Sequence, residues 1–100
     1  QGLFRVKISG DSMTPVWKDG SWVEFHRMHI NRDGFVKGED YYIHRSDGLA
    51  TFKRFVSSDD DSYIFRAINR KKYPKDLVVG RHDVALAALA VGIFLPRKKA

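Results

Sequence analysis

A serine and a lysine are the residues whose surroundings best suit nucleophilic chemistry. The serine, Ser12, lies in the segment SGDSMTP (residues 9–15), directly after a run of alternating apolar residues. Gly-Asp before the serine and a proline shortly after it favour a tight turn at the end of a strand. Such a turn can hold the hydroxyl outward and point backbone N–H groups at one place. A serine hydroxyl is a weak nucleophile until a base removes its proton, so this chemistry needs a second residue.

The four histidines are weak candidates for that base. None of them, His26, His29, His44 or His82, lies in a recognisable catalytic motif, and we expect His26 and His29 at the surface. His26 and His29 are close in sequence, but they lie in a polar segment without a third residue at a metal-ligand spacing. The sequence therefore predicts no metal site, and it indicates no cofactor.

Lys53 is the stronger candidate, because it interrupts the apolar run TFKRFV (residues 51–56). Strand alternation places Lys53 on the same face as Leu49 and Phe55. Burial there would disfavour the charged ammonium and lower the pKa of Lys53, as a general base requires. The alternative is a lysine that extends its ammonium to water at the sheet edge. A Lys53 ammonium in solvent, more than about 4 Å from the Ser12 hydroxyl, would favour a non-catalytic role for the domain.

The elements that must position Ser12 and Lys53 read as short β-strands. Alternation and β-branched or aromatic content predict them at 4–8, 22–25, 40–45, 49–56, 63–67, 77–79 and 89–95. The tripeptide Ser46-Asp47-Gly48 predicts a hairpin, because Asp and Gly suit tight turns. The segment from Val84 onward is ambiguous between helix and strand, and we favour a strand for Leu89–Leu95. The polar loop from His26 to Glu39 is expected to be exposed.

These signals predict a mostly β fold, a small bent antiparallel sheet or partial barrel. The 100 residues, 43% of them hydrophobic, suffice for one domain spanning 1–100. Cysteine is absent, which excludes disulfides and cysteine nucleophiles and suits a reducing compartment such as the cytoplasm. The longest apolar run, Val84 to Leu95, is shorter than the roughly 20 residues that span a bilayer, so we expect no membrane association. The chain begins at Gln1, and we expect an upstream segment to be missing.

Eighteen Lys and Arg against 12 Asp and Glu give a net charge of +6, which raises the possibility of nucleic-acid binding. The basic residues are dispersed, in a stretch from Arg66 to Lys75 and in a tail from Arg97 to Lys99. We favour a solvated surface over a phosphate-binding patch. No helix-turn-helix, RNA-binding or zinc-finger pattern is present. DNA contact is therefore expected only through a missing N-terminal domain.

The order of these motifs resembles the LexA/UmuD family of Ser-Lys self-cleaving peptidases over nearly the whole chain. The similarity lies in SGDSMTP (9–15), DGSWV (19–23), FKRF (52–55), Asn69 with Tyr73-Pro74, and VGI (91–93). The resemblance implies a fold like the LexA C-terminal domain, with Ser12 as nucleophile and Lys53 as general base. It also implies that backbone N–H groups of Asp11 and Ser12 stabilise the oxyanion.

The resemblance further implies self-cleavage upstream of the domain, with the cleaved segment added to the sheet as a strand. No Ala-Gly or Cys-Gly pair of the usual kind occurs in the chain. We expect the C-terminal half of a LexA-like or phage-type repressor of a stress (SOS) response, in which cleavage separates DNA binding from dimerisation. The expected partners are a second copy of the chain in a homodimer, its own N-terminal linker as substrate, and a RecA-type filament as activator.

Several alternatives stay open at this stage. One is a UmuD-like polymerase subunit. A second is a signal-peptidase-like endopeptidase without its membrane anchor, and a third is a non-catalytic dimerisation or sensing module. Phe94, Leu95 and the apolar run before them could supply a two-fold interface or simply core. The chain also departs from the family pattern: Gly20-Ser21 replaces Gly-Asp, one extra residue separates Asn69 from Tyr73-Pro74, and the 26–39 loop is longer than common.

Overall fold

The computed structural model describes residues 2–96 of the chain, which contain seven strands and one short helix. The elements are β1 (Leu3–Lys7), β2 (Trp22–Arg27), α1 (Ile30–Asp33), β3 (Asp40–Arg45), β4 (Ala50–Ser58), β5 (Ser62–Arg66), β6 (Leu77–Gly80) and β7 (Val84–Phe94). The strands form one antiparallel sheet in the order β1-β2-β7-β3-β4-β5-β6, curled into a half-barrel. The prediction of a mostly β fold with a bent antiparallel sheet is confirmed.

The predicted hairpin joins β3 to β4. Gly48 has a φ of 91°, a backbone conformation that glycine adopts without strain. The Leu49 N–H donates a hydrogen bond to the Asp47 carboxylate at 3.0 Å, which closes the turn. This hairpin sets the register of β4 against β3, in which Lys53 lies opposite Tyr41.

Two hydrophobic clusters are built on the sheet. The first, here the Phe65 cluster, contains Tyr41, Ile43, Phe55, Tyr63, Phe65, Val79 and Ala87. The second, here the Met13 cluster, contains Ile8, Met13, Val23, Phe25, Phe52 and Ala88. Neighbouring residues of a strand point to opposite faces, and Ala87 and Ala88 belong to different clusters. Each cluster therefore covers one face of the central strands.

Burial on both faces explains why the sequence of β7 was ambiguous. A strand covered on two sides lacks the alternation of apolar and polar residues that identifies a half-exposed strand. The strand prediction for Leu89–Leu95 was correct in type, but β7 begins earlier, at Val84, and ends at Phe94. Ala87 and Ala88 lie at its centre, and their small side chains suit close packing from both sides.

The expectation that the 26–39 loop lies exposed was wrong in part. His26 and Arg27 extend β2, and a short helix follows them. Phe35 packs into the Phe65 cluster, with its ring stacked on Phe55 at 5.3 Å and edge-on to Tyr63 at 4.8 Å. The loop is therefore a cover for one face of the sheet.

Two further predictions from the sequence concern the basic C-terminal tail and membrane-spanning helices. The basic tail Arg97–Lys99 lies outside the described residues. Across residues 2–96, no helix has the length and apolar character needed to cross a membrane.

Candidate active site

The turn that carries Ser12 leaves the sheet after β1 and returns to it at β2. Its base is closed by two backbone hydrogen bonds, from the Ile8 N–H to the Ser21 carbonyl and from the Gly20 N–H to the Ile8 carbonyl, both at 2.8 Å. Gly10 has a φ of 102°, and its N–H donates to the Asp19 carboxylate at 2.8 Å. The chain therefore reverses sharply just before Ser12, as the Gly-Asp-Ser pattern predicts.

Met13 anchors this turn in the core. Its side chain is only 1% exposed and belongs to the Met13 cluster together with Phe52 of β4. Its carbonyl accepts a hydrogen bond from the Trp17 N–H at 2.9 Å, and the Trp17 ring packs on Phe52 at 5.5 Å. The turn therefore folds over β4, the strand that carries Lys53, and leaves Ser12 at the border between core and solvent.

The structure brings Ser12 and Lys53 together. Lys53 Nζ lies 3.3 Å from Ser12 Oγ, and it donates to Thr51 Oγ1 at 2.9 Å and to the Phe52 carbonyl at 3.2 Å. The lysine thus points inward, and the alternative in which it extends to solvent at the sheet edge is wrong. Sequence reasoning missed Thr51. A hydroxyl two residues before the lysine on the same strand face was the available signal.

Burial also changes the acidity of the lysine. The pKa of Lys53 is lowered from its ordinary value because its ammonium is partly removed from water. Its described polar contacts are a hydroxyl of Ser12, a hydroxyl of Thr51 and a backbone carbonyl, none of them an anion. Since no carboxylate stabilises the charge, the neutral amine is favoured relative to a free lysine.

A cleft of about 210 Å³ opens beside the pair. Its walls come from the end of β1, the serine turn and the start of β4. They comprise Val6, Lys7, Ile8, Ser9, Ser12, Met13, Tyr42, Ala50, Thr51, Phe52 and Lys53. The cleft therefore gives a ligand access to both Ser12 and Lys53.

Of the two N–H groups expected to stabilise an oxyanion, that of Ser12 has no acceptor within residues 2–96, whereas that of Asp11 interacts with the Asp11 carboxylate. The Asp11 carbonyl, by contrast, is held by Thr14, whose N–H and hydroxyl donate to it at 3.3 and 2.9 Å. The turn thus has its Asp11 carbonyl engaged and its Ser12 N–H available to a ligand.

A neighbouring turn grips the Asp11 side chain. The Tyr73 hydroxyl donates to one carboxylate oxygen at 2.6 Å, and Lys72 Nζ donates to the other at 2.9 Å. The Tyr73 hydrogen bond, followed by that of Lys72, lowers the pKa of the Asp11 carboxyl. The sequence pattern included Tyr73, but it did not assign it this contact.

A buried carboxylate links the serine turn to β4 on the other side. Asp40 is only 6% exposed, and it accepts a hydrogen bond from Trp17 Nε1 at 2.7 Å. It also receives two from Arg54, at 2.8 and 3.1 Å. Trp17 lies in the serine turn and Arg54 follows Lys53, so Asp40 joins the two segments that carry the pair. Sequence reasoning missed this residue, because its partners are distant along the chain.

The histidines lie elsewhere. His26, His29, His44 and His82 are all exposed. In the described part of the chain, no three His, Cys, Asp or Glu side chains come close enough together to hold a metal ion.

Comparison with models of known protein families places the chain in one of them. Residues 1–91 match the family described as Peptidase S24-like. The chain therefore belongs to this family, which is the LexA/UmuD-type family that its motifs resemble. Membership supports peptidase chemistry of the serine type at the level of the family. No curated protein matches the chain.

Proposed function

We propose that the protein is a self-cleaving serine peptidase in which Ser12 is the nucleophile and Lys53 the general base. The observation that carries this proposal is the separation of 3.3 Å between Ser12 Oγ and Lys53 Nζ, in a site where burial disfavours the ammonium. The family supports the reaction class, and the geometry supports this choice of residues.

The two other contacts of Lys53 orient its lone pair. A neutral amine has two N–H bonds, and Thr51 Oγ1 and the Phe52 carbonyl are placed to accept them. The lone pair is then left for the Ser12 hydroxyl, which donates its proton to Nζ. Thr51 therefore assists by holding the base in the orientation that accepts a proton.

The reaction has two stages, acylation of Ser12 and hydrolysis of the resulting ester. Ser12 Oγ forms a bond to the scissile carbonyl carbon while its proton passes to Lys53, and the Asp11 and Ser12 N–H groups stabilise the oxyanion. The C–N bond then breaks, and the Lys53 ammonium returns the proton to the leaving amine. Water next attacks the Ser12 ester with Lys53 again as base, which releases a carboxylic acid and restores the serine.

The open edge of β1 offers a place for the substrate backbone. The Ile8 N–H donates to Ser21 across the β1–β2 pair. Because bonded pairs alternate in an antiparallel ladder, the main-chain groups of Leu3, Arg5 and Lys7 point to the other side. No described strand covers that side. An extended segment added there would run along the cleft, past Ser12.

In the proposed setting, the substrate is the protein's own upstream segment, and the protein is a LexA-like repressor inactivated by cleavage. A RecA-type filament would act as the activator, and DNA would be bound by a separate N-terminal domain. These proposed roles rest on the resemblance to the LexA/UmuD-type family.

The test is the intact mass of the full gene product, followed over time at neutral and alkaline pH. We expect cleavage that accelerates with pH, because deprotonation of Lys53 creates the base, and that is abolished in Ser12→Ala and Lys53→Ala. Ser57→Ala and Lys37→Ala, which change exposed residues of the same types, are the matched controls. A wild-type protein that stays intact, or cleavage that persists in Ser12→Ala, would contradict the proposal.

Dimerisation is a second candidate function, favoured by apolar residues left exposed at the end of β7. Val91 and Ile93 are 51% and 47% exposed, and Leu95 follows the strand at 81%. A second copy of the chain would cover them. Sedimentation should show a dimer that Ile93→Asp dissociates and that Val78→Asp, on an exposed residue of β6, leaves intact. A monomeric wild-type protein would contradict this function.

A further inference from the structure

The turn that follows Ala67 holds the serine turn by its main chain. Asn69 makes two contacts with consecutive carbonyl groups of that turn. Its side-chain Nδ2 donates to the Asp11 carbonyl at 3.2 Å, and its backbone N–H donates to the Ser12 carbonyl at 3.0 Å. Asn69 is partly buried, and it touches the backbone beside the nucleophile without reaching its hydroxyl through any described hydrogen bond.

Together with the two hydrogen bonds from Thr14 to the Asp11 carbonyl, these contacts hold the Ser12 N–H in one direction. The Asp11 carbonyl and the Ser12 N–H belong to one peptide unit, which is planar, and in the trans form they point in opposite directions. A carbonyl held toward Asn69 therefore turns the Ser12 N–H away from Asn69. The same reasoning applies to the next unit, in which the Ser12 carbonyl is held and the Met13 N–H points the opposite way.

Asn69 is itself held firmly. Its carbonyl accepts a hydrogen bond from the Tyr73 N–H at 2.9 Å, and its Oδ1 accepts one from the Lys72 N–H at 3.4 Å. The side chains of Lys72 and Tyr73 then grip the Asp11 carboxylate. The two turns are thus joined at two main-chain carbonyls and at a carboxylate, and these contacts resist rotation of the peptide between Asp11 and Ser12.

We propose that Asn69 is a positioning residue, which orients the backbone N–H of Ser12 toward a developing oxyanion. This inference rests on the proposed function, because an oxyanion forms only if Ser12 is a nucleophile. Oriented donors stabilise the transition state without reorganising, whereas a peptide free to rotate must first be aligned.

The test is the rate at which a fluorophosphonate labels Ser12 of the full gene product, measured from neutral to alkaline pH. In this reaction Ser12 Oγ bonds to phosphorus, fluoride leaves, and Lys53 takes the proton. The plateau rate at high pH reports oxyanion stabilisation, and the midpoint of the pH profile reports the pKa of Lys53. Removing one oxyanion donor costs about 10²–10³-fold in rate. We expect the plateau rate of Asn69→Ala to fall about tenfold, because the oxyanion donors stay in place but lose alignment.

A second variant covers the case in which Asn69→Ala fails to fold. Asn69→Asp keeps the size and the Oδ1 acceptor, but it replaces the Nδ2 donor to Asp11 by an oxygen and adds a negative charge. Asn31→Ala and Asn31→Asp, at an exposed residue of α1, make the same chemical changes away from the site. Circular dichroism at the assay temperature verifies that each variant is folded.

The expected result is a lower plateau rate in both Asn69 variants, with the midpoint of Asn69→Ala unchanged and both Asn31 variants at the wild-type rate. A wild-type plateau in the folded Asn69 variants would overturn the inference. So would a loss explained wholly by a shifted midpoint in Asn69→Ala, because Asn69 would then act on Lys53. If Ser12→Ala and Lys53→Ala are each labelled as fast as the wild-type protein, the proposed function itself fails.

Discussion

Replacing Asp40 by asparagine tests whether a buried carboxylate holds the serine turn against β4. The Asp40 side chain is 7% exposed and accepts three hydrogen bonds, from Trp17 at 2.7 Å and from Arg54 at 2.8 and 3.1 Å. Asparagine has nearly the same size, so the change removes the negative charge and one acceptor oxygen without creating a cavity. The NH₂ group that replaces this oxygen faces donors rather than acceptors.

The magnitude follows from burial and from the exposure of the partner. Removing one member of a buried ion pair costs about 3–5 kcal/mol, because the other charge is left without a partner. The Arg54 side chain is 36% exposed and can recover part of its hydration from water. We therefore expect Asp40→Asn to lower the free energy of unfolding by about 2–3 kcal/mol, in the range for hydrogen bonds to charged groups.

Urea unfolding gives the free energy, and a matched variant isolates the effect of burial. Asp76 also accepts hydrogen bonds from two arginines, Arg66 and Arg70, but its side chain is 30% exposed. Asp76→Asn should therefore cost clearly less than Asp40→Asn, since water replaces the lost contacts. Equal losses for the two variants, or no loss for Asp40→Asn, would refute the reasoning.

Two further predictions concern stability. Burial lowers the pKa of Lys53, so between this pKa and the ordinary value of about 10.4 the unfolded chain binds more protons, and stability rises with pH. Urea unfolding across this window should show the free energy of unfolding rising by about 1.4 kcal/mol per pH unit in the wild-type protein. Lys53→Met should show no such rise. Parallel profiles of the two proteins would contradict the prediction. Phe35→Ala should destabilise the protein by about 3 kcal/mol, because its ring fills the Phe65 cluster. The same truncation at the neighbouring, exposed Val36 should have little effect on the urea midpoint, and equal effects would show that Phe35 is not core.

The parts of the fold that depend on local signals were predictable. The hairpin at Ser46-Asp47-Gly48 depends on the conformational freedom of Asp and Gly, which the sequence displays directly. The strand Asp40–Arg45 was placed correctly because it contains the β-prone residues Tyr41, Tyr42 and Ile43 and a turn follows it. The start of β7 was not, because Ala87 and Ala88 are buried on opposite faces and periodicity is lost.

The packing of Phe35, in the otherwise mostly exposed 26–39 segment, could not be predicted from the sequence in the same way. Phe35 is a single apolar aromatic in a polar segment, and its partners Phe55, Tyr63 and Phe65 come from strands far along the chain. Only the folded sheet brings these rings together, so no local pattern marks Phe35 as core.

In the candidate site, too, the features that depend on local sequence were predictable, and those that depend on tertiary contacts were not. Ser12 and Lys53 were recognisable by residue type and order, but the direction of the Lys53 side chain depends on how the serine turn folds over β4. Asp40 joins Trp17 to Arg54, and Asn69 joins two turns, across long separations in sequence. Such contacts are properties of the tertiary structure, and a single sequence does not display them.

The central claim is that Lys53, as a neutral amine, takes the proton of Ser12. Its most direct test is the pH dependence of Ser12 labelling by a fluorophosphonate, in the wild-type protein and in Lys53→Met. The account predicts that the wild-type rate rises with pH to a plateau through one ionisation, at a midpoint below that of a free lysine, and that Lys53→Met labels slowly at every pH. The same profile in both proteins would show that Lys53 is not the base.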